Sequence, residues 1–480
     1  MRLVLGTRSR QPGRGVVVLG IALASIGGAG PARLGAPARG PNPYFTAPFT
    51  VETGRYTFGQ DPSFAPDGRV LSNERDGSGT EQVYVSKLDG STIRCLTCGQ
   101  PGPNGFPQER PQGDWILFCS WRGSSVTFGA PCLGGVGTDL YVMRPDGSDV
   151  TRLTAPGLPF EPSGVPFDNY HPAWSPDGRH LVWTHVGFTD LAAGGTQWTM
   201  LIADFTPRRG RTPELTNLRV VGPATDTGYE TQVWAPDGSG FLYTAMGQDG
   251  AGWLNLELYF LRLAGPGAAP GRPLVTHLTD GNTGWDEQAV FTPDMRDVIW
   301  MSSRGSPTWY QTFVTAAQQL GFRPPLQNET FGPMFVLAIS DPGFHTDLYE
   351  LDRATGAIRR LTNLNRVVPE FYFDPSGRRL LWSEGGHAVT RVGRFALSAV
   401  PRRVGPTVRR DAAWAGAPRR GHASAPASVG PSTTNAPGPL PASITEGVGV
   451  LQAQLGELAR RLQGLPQGPS CCRATPTPSG

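Results

Sequence analysis

The stretch Trp174-Ser175-Pro176-Asp177-Gly178, followed by the apolar run Leu181-Val182-Trp183, decides how this chain reads, because it keeps returning. Close copies begin at Phe64 (Pro66, Asp67, Gly68), Trp234 (Pro236, Asp237, Gly238), Phe291 (Pro293, Asp294) and Phe373 (Pro375, Ser376, Gly377). A worn copy is Pro111-Gln112-Gly113-Asp114-Trp115. Proline presets φ at the first corner of a tight turn, aspartate bonds back to the backbone and glycine takes the positive φ. Each copy therefore predicts a β-hairpin between two short apolar strands. A second element follows four copies, a tyrosine-bearing strand and a turn ending in Leu-Thr: Tyr84 to Leu96-Thr97, Tyr141 to Leu153-Thr154, Tyr259 to Leu278-Thr279 and Tyr349 to Leu361-Thr362. Two hairpins make a four-stranded sheet that cannot bury its own faces, so the copies must pack face to face about an axis. The repeated prolines are 45, 65, 60, 57 and 82 residues apart. A blade needs roughly 40–45 residues, and the excess marks insertions. The chain reads as all-β, a six-bladed β-propeller of four-stranded antiparallel blades.

The rest of the composition fits this. With 64 Gly and 47 Pro in 480 residues the chain favours turns over long helices, and its net charge of +3 leaves no nucleic-acid footprint. Residues 1–30 read as a secretory signal peptide, with Arg2, Arg8, Arg10 and Arg14 ahead of an apolar run, Val16 to Ile26, that is shorter than a membrane span. A periplasmic or secreted protein is expected, with no stable span once the signal is removed. Residues 31–57 are a linker able to supply a closing strand, and 58–400 are the propeller. Residues 401–442 are a Pro/Ala-rich segment expected to be disordered, 443–465 a short amphipathic helix capped by Ser443 and Glu446, and 466–480 a disordered tail. Cys95-x-x-Cys98 admits a redox or zinc site, but in an oxidising compartment disulfides are the better reading. Four cysteines allow three pairings. The expected one joins Cys95 to Cys98 and Cys119 to Cys132.

The Trp-Ser-Pro-Asp-Gly-Arg turn, with its downstream Leu-Tyr-Val and Leu-Thr, resembles the WD-like repeat of TolB-type propellers, found also in the propellers of prolyl-oligopeptidase relatives. The resemblance covers roughly residues 58–400. It implies the fold and is a poor guide to activity, which resides in the site. The chain departs from TolB in having too few residues before the first blade for the α/β domain of that family. It departs from the peptidases in having only a short, low-complexity tail where they carry a hydrolase domain.

Loop lengths give the propeller a polarity. The Pro-Asp-Gly turns are tight and share one face, whereas the connections 120–138, 155–170, 184–197, 222–230 and 302–346 are long and share the other, the expected binding face. Within the last of these, Ser306 and Pro307 begin an expected helix with Tyr310, Phe313, Val314, Ala317 and Leu320 on one side. Three or four positions ahead of each aromatic-Pro turn, where the innermost strand opens at the channel mouth, stand Asp61, His171, Glu230, Glu287 with Gln288, and Glu370. Carboxylates with a histidine suit a divalent cation, calcium or manganese, or a basic peptide. A water-filled channel lined by polar residues is the plainer explanation. Arg75, Arg122 and Arg304 end second strands and read as blade-edge ion-pairing residues.

No Gly-x-Ser-x-Gly elbow, His-Glu-x-x-His or phosphate loop appears. The expectation is therefore an exported, non-enzymatic propeller that recognises a peptide, protein or envelope polymer on its long-loop face. The alternative is a metal-assisted lyase or hydrolase at the channel mouth, since some propellers of this group resemble oligogalacturonate lyases. Those enzymes gather several histidines about a metal, and here His171 alone is suitably placed.

Overall fold

Each Pro-Asp-Gly turn closes as its residues dictate. Gly68, Gly178 and Gly238 take φ of +87°, +64° and +72°. Asp67, Asp177 and Asp237 accept the backbone N–H two residues on at 3.1, 3.0 and 2.9 Å. In the fifth copy Met295 takes the glycine's place with φ +61°.

The computed structural model describes residues 41–52, 60–122, 137–154, 167–190, 195–208, 212–222, 228–247, 252–263, 273–279, 285–306, 345–364, 370–384 and 389–405. The expected signal peptide, the helix expected after Ser306 and the helix expected at 443–465 lie outside them. A short helix α1 (Pro43–Thr46) and strand β1 (Phe49–Val51) come first. Blade 1 is β2 (Gln60–Phe64), β3 (Val70–Arg75), β4 (Glu81–Ser86) and β5 (Arg94–Cys95); blade 2 is β6 (Asn104–Glu109), β7 (Ile116–Ser120), β8 (Asp139–Met143) and β9 (Thr151–Arg152). Blade 3 is β10 (Phe167–Trp174), β11 (His180–Asp190), β12 (Gly195–Thr206) and β13 (Glu214–Val220); blade 4 is β14 (Tyr229–Trp234), β15 (Gly240–Gly247), β16 (Gly252–Arg262) and β17 (Leu274–His277). Blade 5 is β18 (Asp286–Phe291), β19 (Asp297–Ser302), β20 (Asp347–Asp352) and β21 (Ile358–Arg360). Blade 6 takes β22 (Phe371–Phe373), β23 (Arg379–Glu384) and β24 (Val389–Phe395) from the end of the propeller and its outermost strand, β1, from the beginning. The result is the expected six-bladed ring of four-stranded antiparallel sheets. One expected loop is corrected: most of 184–197 is strand, because β11 and β12 continue their pairing out to Asp190 and Gly195.

The two repeated motifs hold this ring by different means. The motif aromatic staples neighbouring blades, since the Trp174 indole donates to the Gln108 carbonyl at 3.2 Å and that of Trp234 to the Ala173 carbonyl at 3.1 Å. The Leu-Thr motif locks each blade internally. Thr97, Thr154, Thr279 and Thr362 accept the N–H of Val83, Leu140, Leu258 and Leu348 at 2.9, 2.9, 3.0 and 2.9 Å. Each hydroxyl donates in turn to a third-strand side chain, Gln82 at 2.6 Å, Asp139 at 2.7 Å, Asp347 at 2.8 Å, and Glu257. Between blades the tryptophans and aliphatics of the second strands form the core, where Trp183, Trp300 and Trp382 are almost wholly buried. Of the three arginines that end second strands, Arg304 pairs with Asp286 at 3.0 Å. Arg122 instead donates to Asn104 at 3.0 Å and lies over the Tyr141 ring at 4.8 Å.

Cys95 and Cys98 form a disulfide, with Cα atoms 5.6 Å apart. The expected Cys119–Cys132 bridge is corrected: Cys119 is a free thiol within β7, all five residues of which are buried, and it packs with Leu117, Trp121 and Leu140. Burial pushes that thiol well above its ordinary pKa. Cys132 lies outside the described residues. Differential alkylation should therefore label Cys119 only after denaturation and without reductant, and Cys95 and Cys98 only after reduction; labelling of Cys119 in the native protein would contradict its burial. Trp183→Ala should lower the unfolding free energy by about 3–5 kcal/mol. Thr154→Val, which strands both the Leu140 N–H and Asp139, should cost about 1–3 kcal/mol. Urea denaturation measures both, and a loss under about 0.5 kcal/mol for Thr154→Val would deny the internal lock.

Candidate channel-mouth site

In a propeller the blades stand radially, so an inner strand turns its backbone edge to the axis and its side chains to the neighbouring blades. A β-bulge changes that by inserting an extra residue and re-aiming a side chain. The pairing of the first and second strands shifts register in five blades, between Gln60 and Ser63, Gly105 and Gln108, Tyr170 and Ala173, Thr231 and Trp234, and Glu287 and Ala289. Four of these bulges contain a non-glycine residue at positive φ: Asp61 (+48°), Phe106 (+51°), His171 (+49°) and Gln288 (+43°). Such conformations cost of order 1–3 kcal/mol each and cluster where structure is held for a purpose. Phe106, in the worn second copy, is the position that sequence reasoning missed. A signal was present, because Pro62, Pro107 and Pro172 directly follow three of the four residues. Proline within a strand marks a bulge or an edge.

The side chains expected to line the mouth influence one another. Gln288 donates to Glu370, and the Tyr372 hydroxyl reaches the other Glu370 oxygen at 3.5 Å. Asn73 donates to Asp61 at 2.9 Å. His171 packs its ring against Phe106, centroids 4.7 Å apart, and its carbonyl accepts the Thr231 hydroxyl at 2.5 Å. Burial is the main cause of the raised carboxyl pKa values, and like charge adds to it. Asp61 is pushed up to about 6. Glu287 lies well above the usual carboxylate range through burial, then the field of Glu230 and a hydrogen bond with it, then Glu370. Glu370 is raised by burial and by the fields of Asp61 and Glu230. Burial lowers His171 below the ordinary imidazole value while Glu230 pulls it the other way. One Glu230 oxygen is buried without a hydrogen-bond partner. The six residues Asp61, His171, Glu230, Glu287, Gln288 and Glu370 thus form one electrostatic group drawn from five blades. Among the described residues no three His, Cys, Asp or Glu side chains are placed to hold a metal ion, so the group does not fit the expected calcium or manganese centre.

No family model matches the chain. A protein of Agrobacterium fabrum is 30% identical over 137 residues, 28% of this chain and 43% of that protein, so the chain spans under half the length of the curated relative it matches. TolB from Acinetobacter baumannii shares 13% identity over 69% of this chain and 64% of its own, with a TM-score of 0.40. A putative TolB from Agrobacterium tumefaciens shares 15% over 70% and 89%, with a TM-score of 0.41. An oligogalacturonate lyase in complex with manganese shares 13% over 72% and 90%, with a TM-score of 0.38. The chain is a six-bladed β-propeller with TolB-like structural neighbours. At these identities no residue role passes from any of them to this chain.

The carboxyl shifts fix a pH dependence. A folded-state carboxyl pKa above its unfolded value lends stability that is complete below the unfolded value and is lost as pH rises through the folded one. For Asp61 that window runs from 3.8 to about 6, and Glu81, pushed up mainly by burial to about 7, extends it. Buried His185, depressed to about 4, acts in the opposite direction below pH 6.5. A difference measurement removes that background. Glu370→Gln should be more stable than wild type at alkaline pH, with the advantage shrinking as pH falls and Glu370 takes up its proton. An advantage independent of pH in urea titrations would show that Glu370 does not titrate with the fold.

Proposed function

We propose that this chain is an exported, non-enzymatic binding protein whose long-loop mouth receives a cationic stretch of a peptide, protein or envelope polymer. The observation that carries this reading is the channel-mouth group itself. Carboxyl groups from blades 1, 5 and 6, Asp61, Glu287 and Glu370, are held by burial above the usual carboxylate range, and the field of Glu230 from blade 4 adds to the shift of Glu287 and Glu370. A lysine or arginine entering among them would offset that field, ionise them and gain charge-assisted hydrogen bonds. Bulges held at positive φ fix the reach of Asp61, His171 and Gln288 before any ligand arrives, which reduces the entropy lost on binding. Export is supported by the basic and apolar N-terminal pattern and by the Cys95–Cys98 disulfide. No helix among the described residues is long and apolar enough to cross a membrane. Lyase or hydrolase chemistry with a metal would draw on His171 alone among histidines, and no observation favours it.

Calorimetric titration with a lysine-rich decapeptide tests the reading. The expected result is binding that weakens with salt and falls roughly tenfold, ~1.4 kcal/mol, in the double variant Glu230→Gln/Glu370→Gln. An acidic decapeptide that binds as tightly, or a double variant that binds unchanged, overturns it.

A further inference from the structure

At the tight-turn face the inner strands end in a second feature, chemically unlike the mouth. A cavity of about 270 Å³ sits on the axis, lined by residues of all six blades. Five blades contribute the aromatic of the repeated turn, Phe64, Trp174, Trp234, Phe291 and Phe373, and blade 2 contributes Glu109 in the same register. Gln108 of blade 2 donates to the Tyr372 hydroxyl of blade 6 at 3.4 Å, and Tyr372 in turn meets Glu370. Gln108 and Tyr372 of that chain line the cavity.

We infer that this cavity is a binding site for a small organic cation, an alkylammonium or guanidinium group, held among aromatic rings with a carboxylate at one side. Its size lies just under the roughly 300–1,000 Å³ usual for small-molecule sites, which suits a head group of few heavy atoms. Aromatic residues around a compact space are the arrangement by which proteins hold such cations, through the negative faces of the rings. The nearby charges point the same way. Arg69 lies 2.6 Å from Asp67 and 3.2 Å from Glu109, so one guanidinium is shared between two carboxyl groups. Arg110 is already engaged with Asp114 at 2.8 Å and with the Gly178 carbonyl at 2.7 Å, and its guanidinium lies over the Trp174 ring at 5.9 Å, so one of the five rings already faces a cation of the protein's own. Burial pushes Glu109 up to about 7 against the pull of Arg69, so a bound cation would favour its ionised form. This inference concerns the opposite end of the inner strands and does not rest on the function proposed for the mouth.

Titration calorimetry of the full chain with choline, with guanidinium below denaturing concentration, and with 3,3-dimethyl-1-butanol, the uncharged isostere of choline, tests it. The cations should bind in the millimolar range or tighter, and the neutral isostere at least about tenfold more weakly. Glu109→Gln and Phe64→Leu/Phe373→Leu, which keeps both sites apolar and removes two rings, should each weaken cation binding severalfold while thermal melting confirms that they fold. If a blocked Gly-Arg-Gly peptide binds more tightly than free guanidinium, the guest is a side chain; if choline binds more tightly than both, it is a free small cation. Equal binding of the neutral isostere, or no heat from any cation at millimolar concentration, overturns the assignment, and both are measured on wild type.

Discussion

The last sheet of this ring is completed from the start of the chain, and three residues of β1 make that join. Phe49, Thr50 and Val51 pair with Phe395, Arg394 and Gly393, so the outer strand of blade 6 comes from the start of the chain. A three-residue ladder is a weak clasp, and the segment ahead of it is tied down accordingly. Asn42 caps α1 and its amide donates to Asp352 at 2.9 Å and to Asp297. Tyr44, fully buried, reaches the Gly377 carbonyl at 2.7 Å and meets the ring of Phe395 edge-on. Arg359 donates to the carbonyls of Tyr44 and Ala47 at 2.7 and 2.8 Å. Arg359 of blade 5 thus grips the backbone that closes the ring, while Tyr44 of the closing segment docks on blade 6.

Once the ring is closed, each inner strand is confined between two neighbours and its position along the axis is fixed. The hydroxyl of Ser63 donates to the Pro107 carbonyl and that of Thr231 to the His171 carbonyl, each at 2.5 Å, pinning adjacent inner strands beside their bulges. Confinement of this kind is what lets four non-glycine residues remain at positive φ, since a strained backbone persists only where its surroundings over-determine it. The channel-mouth group therefore depends on the integrity of the whole ring rather than on any local motif.

This dependence explains what the sequence disclosed and what it hid. The turns were legible because Pro, Asp and Gly act locally, and the Leu-Thr motif because it recurs, although its reason, a threonine bridging strand 4 to strand 3, is tertiary. The position of Phe106 was obscured by the worn second copy, yet Pro107 beside it was a readable mark of a bulge. The pairing expected for Cys119 failed because counting cysteines says nothing about the interior of a strand buried along its whole length. The stretch 184–197 was misread as a loop because insertion length was counted without asking whether two strands could simply lengthen their hairpin. The aromatic end of the channel was present in the repeat from the outset, but the same residues serve as blade staples, and periodicity alone does not separate a residue that packs from one that also lines a cavity.

The two ends of the inner strands now differ for one reason. At the bulge the extra residue re-aims Asp61, His171 and Gln288, and burial with the fields of neighbouring carboxyls raises Glu287 and Glu370 there. Past the bulge, regular pairing resumes and the motif aromatics wedge between blades, so only parts of their rings and the single carboxyl of Glu109 reach the axis. Gln108, Tyr372 and Glu370 connect these two zones by hydrogen bonds across blades 2 and 6. Tyr372, which lines the aromatic cavity and reaches Glu370 of the mouth, is the residue that touches both zones.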